Sequence, residues 1–511
     1  MTRIQYLSLS KSERILVNIG ESFKGIGKGI LNFFKGIPFA LLKFWHKICA
    51  PFRTLKDAFS RGTWLTRGNF IIFGFSQFFH KEIARGILYL LYEVVFIWYF
   101  IKVGIPNFAK LGTLGTFNER STAISNPSTG RGIQIGVGDD SRYILLYSLV
   151  TILLLVIFVI LWYLSIRDAK SLQDNRSVGK ISKNSQFFND LLNKKYHTLL
   201  LAVPLVGLVA FTVIPVIFMI ITGFTNYSKT HDTLFDWVGF DNFNVLFSGT
   251  GGDSQVVQVF LKVLAWTLLW ALIATFTNYF LGMVVALLIN KKGIKLKKLW
   301  RTILIVTIAV PQFVSLLLIN RMLSDTGYLN GLFIEWGWVK DNYTAFDNVT
   351  FARILIIIVN MWVGVPYTML ICSGILMNIP EDLYESARID GASSFKMYTS
   401  ITLPYMLFIT FPYLLSQFVG NINNFNIIYL LSQGAPKFAD SGIKIPESFG
   451  GQTVGQTDLL ITWIYKMSMQ GDDKNYALAS VLGLLIFVVI ATLSLIFYGR
   501  SNSVKNEEDF Q

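Results

Sequence analysis

Only two of the 511 residues are cysteine, Cys49 and Cys372, and they lie far apart, in or beside apolar runs. That is no disulfide framework; both read as reduced packing residues. The four histidines, His46, His80, His197 and His231, are scattered and show no metal-ligand spacing. Charge is scarce as well: 15% of residues are charged, against roughly 25% in soluble domains. A phosphate loop is also missing. Its pattern needs glycine, four residues, then Gly-Lys-Ser/Thr. The two Gly-Lys pairs, Gly27-Lys28 and Gly179-Lys180, have Ser22 and Asp174 where the first glycine belongs, and Gly29 and Ile181 follow the lysines. The chain therefore brings no ATP site of its own. Its start carries Arg3, Lys11 and Arg14 but no short apolar core with a small-residue cleavage site, so no cleaved signal peptide is expected.

What fills the sequence is apolar: 53% of residues are hydrophobic and the mean hydropathy is +0.51. A helix needs about 20 mostly apolar residues to cross a bilayer. Eight stretches qualify, at 85–105, 143–165, 198–222, 258–290, 302–322, 351–376, 402–430 and 477–499. Spanning segments must satisfy their backbone internally, so the expected class is an all-α polytopic membrane protein with eight transmembrane helices. With the N-terminus inside, the inner segments hold 30 of the 45 Lys and Arg and the outer segments 10. That bias predicts both termini in the cytoplasm of a plasma-membrane protein. It also accounts for the net charge of +14 without a nucleic-acid partner.

Residues 1–83 read as a basic amphipathic region on the cytoplasmic membrane surface. A helix over 23–37 would gather Lys24, Lys28 and Lys35 on one side, with Phe23, Ile26, Ile30, Phe33, Phe34 and Ile37 on the other. Two further spans with their loops occupy 84–197, a six-helix core occupies 198–500, and a cytoplasmic tail 501–511. Pro311, Pro366 and Pro412 are expected to interrupt spans five, six and seven.

Segment 380–404 connects spans six and seven. Pro380 suits a first helical position, Glu381 and Asp382 suit a helix start, and Gly391 permits a sharp turn. The expected form is a cytoplasmic helix–turn–helix able to transmit a push from a soluble partner. The spacing of Glu385, Ala387, Gly391, Ile401, Leu403 and Pro404 resembles the EAA loop of ABC importer permeases, with Ser386 where the usual second alanine stands. In that family the loop is the coupling helix that docks on the ATPase subunit.

More of the chain is similar to the MalF-type subunit of maltose/maltodextrin permeases: Asn421 to Phe425, Thr457 to Leu460, and Gly364-Val-Pro-Tyr367. The large outer domain of Gram-negative members is absent, since 223–257 is only 35 residues, and this looks like a Gram-positive member. The resemblance implies a type I ABC importer permease fold and alternating access. It implies a second, MalG-type permease chain, two ATPase subunits that use ATP and magnesium, and a lipoprotein sugar-binding protein outside the cell. It implies no cofactor and no catalysis in this chain. Asn360, Gly364 and Tyr367 share one face of span six, and Asn421 and Asn424 one face of span seven. Amides and an aromatic ring suit sugar hydroxyls and the apolar face of a sugar ring. In the MalF-type subunit the matching positions line the maltose site. Another neutral oligosaccharide, or glycerol phosphate, remains open as solute. So do an ion-coupled transporter using Glu93 and a membrane scaffold.

Overall fold

The computed structural model describes residues 51–116, 139–179, 184–194, 196–248, 254–291, 293–470 and 473–500. The helix expected over 23–37 and the tail 501–511 lie outside them. Among the described residues the regular structure is helical, with only isolated β-bridges besides. Seven helices among the described residues are long and apolar enough to cross a membrane: α1 (Ile83–Lys110), α2 (Ser141–Ser177), α3 (Tyr196–Thr222), α4 (Ser254–Asn290), α8 (Val349–Leu376), α10 (Ser394–Ile422) and α12 (Tyr476–Arg500). The eighth span is a bent pair, α5 (Lys297–Ala309) and α6 (Gln312–Met322), which meet at 84°. Shorter helices include α7 (Tyr328–Glu335), α9 (Glu381–Ile389) and α11 (Leu460–Met469).

The break between α5 and α6 falls at Pro311. Proline has no N–H to continue the helix and pushes the residue before it toward extended backbone. Val310 is extended accordingly, with ψ 124°. The expected interruptions at Pro366 and Pro412 do not occur: both prolines lie inside unbroken helices. Span seven also differs from expectation. Its helix starts earlier, at Ser394, and stops at Ile422, with a separate turn of helix at Phe425–Ile427. The apolar run continues to Leu431 because the residues after the break are also buried, so hydropathy alone does not reveal the break.

The described residues fall into two compact units, divided as Met1–Ala109 with Leu146–Thr212, and Lys110–Leu145 with Val213–Gln511. In the first, α1 and α2 hold the segment that precedes them. Asn69 donates to Gln77 and to Ser165 Oγ, both at 2.9 Å. Phe96 and Phe158 stack at 4.4 Å. The Glu93 side chain accepts the Phe73 N–H at 2.8 Å.

In the second unit α4 is the central post, packed mainly on α8 and α10. Lipid tails are as apolar as leucine, so membrane helices are held by close packing and hydrogen bonds. Buried tryptophans on α4 supply both. Trp270 Nε1 donates to Asn421 O and Trp266 Nε1 to Thr457 O, each at 3.1 Å.

Candidate coupling and solute sites

The segment between α8 and α10 folds as a knob. Pro380 caps α9 rather than entering it, and Glu381 and Asp382 lie in its first turn. The helix ends at a tight turn, where Ala392 N–H reaches Ala387 O at 2.9 Å. Gly391 has φ +74°, left-handed backbone that costs an ordinary residue about 1 kcal/mol or more. Ser393 then caps the next helix, accepting from Lys396 N at 3.2 Å. Ile389 is 86% exposed and Phe395 76%, so the knob offers two bare apolar side chains beside the exposed Glu385 and Gly391. Ala387, Ile401 and Leu403 are half-buried beneath it, and Pro404 is exposed inside the continuous helix. The Tyr384 hydroxyl meets the Thr402 hydroxyl at 2.8 Å. Under the knob lies a cavity of about 970 Å³, whose lining includes Asn290, Ile379, Arg388 and Tyr398.

The solute candidates converge on α4, through residues that their own helices do not reveal. Asn421 Nδ2 donates to Thr275 Oγ1 at 3.0 Å. One turn further along α4 is Asn278. A Cβ added at Gly364 would run into its amide, so the glycine lets α8 approach α4 there. Asn360, one turn from Gly364 on α8, is buried. Two polar atoms on this seam are enclosed and without a partner: Asn278 Oδ1 and Asn360 Nδ2. One is an acceptor and the other a donor, the complement of a hydroxyl, which donates and accepts. Asn421 thus meets Thr275 and Gly364 meets Asn278, with Asn360 buried one turn from Gly364. The other two candidates stand differently. Tyr367 is half exposed, with its ring 6.5 Å from that of Tyr413. Asn424 caps the turn after the break, accepting from Ile427 N at 3.4 Å. The sequence signal for Thr275 and Asn278 was present as polar residues inside the apolar run of α4.

A buried ion pair also escaped the sequence reading. Lys466 and Asp458 meet at 2.6 Å with side chains 3% and 1% exposed. Lys466 Nζ further donates to Gln433 O at 3.0 Å and Thr453 O at 2.7 Å.

In the second unit, spans packed on one post, a knob between two of them and an amide-lined seam mark a polytopic helical membrane protein. Residues 278–503 match the family described as the binding-protein-dependent transport system inner membrane component. The galactooligosaccharides transport system permease protein GanP of Bacillus subtilis is 31% identical over 86% of this chain and 97% of its own length. The maltodextrin transport system permease protein MdxF of the same organism is 30% identical over 86% and 95%. The maltose/maltodextrin transport system permease protein MalF of Escherichia coli is 33% identical, over 50% of this chain and 48% of its own length. The chain belongs to the binding-protein-dependent transport permease family. It is a multi-pass membrane subunit of an ABC importer, working with a second permease, with ATPase subunits that hydrolyse the ATP, and with a binding protein.

Proposed function

We propose that this permease forms half of the translocation path for a neutral oligosaccharide, maltodextrins first. The observation that carries the solute class is the unpartnered acceptor and donor, Asn278 Oδ1 and Asn360 Nδ2, on the α4–α8 seam. Together with Gly364, Tyr367, Asn421 and Asn424 they supply amide and aromatic chemistry and no charge, which disfavours an anion such as glycerol phosphate. Relatives of nearly full length bear the names of maltodextrin and galactooligosaccharide systems, which supports the same class. A Cβ at Gly420 would meet nothing within 4 Å, leaving room beside Asn421 for a longer chain.

The cycle is alternating access. ATP closes the two ATPase subunits, and α9 follows through Glu385, Ala387, Gly391, Ile401, Leu403 and Pro404. The spans, paired with a MalG-type partner, then open to an extracellular lipoprotein that delivers the sugar. Both termini lie in the cytoplasm. The bias of Lys and Arg supports that orientation.

The test is uptake of labelled maltotriose by cells producing the whole complex, competed with unlabelled galactooligosaccharide and glycerol phosphate. Saturable uptake competed by neutral oligosaccharides and untouched by glycerol phosphate is the expected result. Uptake of the phosphate alone overturns the solute class.

A further inference from the structure

The helix α10 has 29 residues, which at about 1.5 Å each separates its ends by roughly 43 Å, the depth of a bilayer. The knob lies at one end. At the other, beyond Asn421, the chain builds a second basin of about 450 Å³, within the range of about 300–1,000 Å³ typical of ligand pockets. Its lining includes Tyr429, Gln433, Lys437, Gln452, Lys466 and Gln470. Gln433 and Gln452 are exposed, and their side-chain amides make no hydrogen bond among the described residues. Gln470 Nε2 donates to the Tyr429 hydroxyl at 3.2 Å, which fixes both groups at the wall.

The wall is held from behind. Lys466 and Lys437 both donate to the Gln433 carbonyl, at 3.0 and 2.6 Å. Gln433 adopts φ +50°, and a Cβ at Gly434 would collide with the Asp458 carboxylate. The Asp458–Lys466 pair thus fixes the turn that presents Gln433 and Lys437. That pair also removes one of the basin's two charges.

We propose that this basin is a second oligosaccharide subsite, opposite the coupling knob, that holds the part of a neutral chain too long for the α4–α8 seam. The proposal rests on the solute reading above and extends it. Three amides and a phenol recognise hydroxyls, each amide donating and accepting. Lys437 is committed to the Gln433 carbonyl, and burial, with Lys466 beside it, pushes its amine down to about 8.

The experiment measures transport by the complete complex in proteoliposomes, with a disaccharide and a hexasaccharide of the same neutral α-glucan series. Wild type is compared with Gln433→Ala/Gln452→Ala and with Gln452→Ala alone; Gln452 is exposed, so the single change leaves the packing intact. The subsite predicts that KM for the hexasaccharide rises about tenfold, while KM for the disaccharide and both kcat values hold. Equal KM changes for both sugars, or no change for either while wild type transports both, overturn the subsite and leave the solute reading standing. A wild type that hydrolyses ATP with its binding protein yet moves neither sugar overturns the solute reading, and the subsite with it.

Discussion

The hydroxyls of Tyr384 and Thr402, 2.8 Å apart, tie α9, the proposed coupling helix, to the base of α10. Thr402 is buried inside a π turn, Tyr398–Thr402, where α10 departs from regular α geometry; such bulges are frequent at functional sites. A displacement of α9 therefore reaches the span whose far end carries Asn421. Tyr384→Phe removes one hydrogen bond, about 1 kcal/mol, and leaves the ring in place. The expected outcome is a fall of a few-fold in solute moved per ATP hydrolysed, with normal amounts of complex in the membrane. An unchanged ratio sinks this link.

Gly364 allows α8 to lie against the amide of Asn278. Gly364→Ala forces that amide to rotate, at a cost of about 1–3 kcal/mol. Binding of the transported sugar should weaken about tenfold or more, because the Asn278 amide leaves its place against α8. Binding isotherms on the purified complex measure this; unaltered affinity would place the solute elsewhere.

Much of the architecture was legible in the sequence because one physical demand dominates it. A run of about 20 apolar residues that must satisfy its own backbone can only be a helix. The knob was legible for a local reason: Pro380 stands just before its first helix, an acidic turn opens that helix, and Gly391 takes the positive φ of the turn that ends it. The prolines show where this fails. Pro311 breaks its span, while Pro366 and Pro412 do not, since neighbouring groups in a bundle can take up the freed carbonyls. Asn278 and Thr275 were hidden because what makes them special is the approach of another helix, which no single segment encodes. The Lys466–Asp458 pair was hidden likewise: in sequence it looks like two surface charges in a loop.

Asp458→Asn leaves the Lys466 ammonium buried beside two carbonyls without its counter-charge. Breaking a buried pair in this way costs about 3–5 kcal/mol. The thermal unfolding midpoint of the purified permease should fall by several degrees, and Asp458→Leu/Lys466→Met should recover part of the loss. A midpoint equal to wild type would show that the pair carries no weight in the fold.

The central claim is that this chain moves solute only when α9 relays the ATPase cycle, and Gly391 is its most exposed dependency. With φ +74° and open space around it, the residue is needed for its backbone conformation and the surface it leaves clear. The measurement is ATP-driven uptake of labelled maltotriose by the complete complex carrying Gly391→Asp, with the amount of permease in the membrane determined in parallel. Loss of uptake at normal membrane levels is the predicted result; uptake at the wild-type rate would contradict the account.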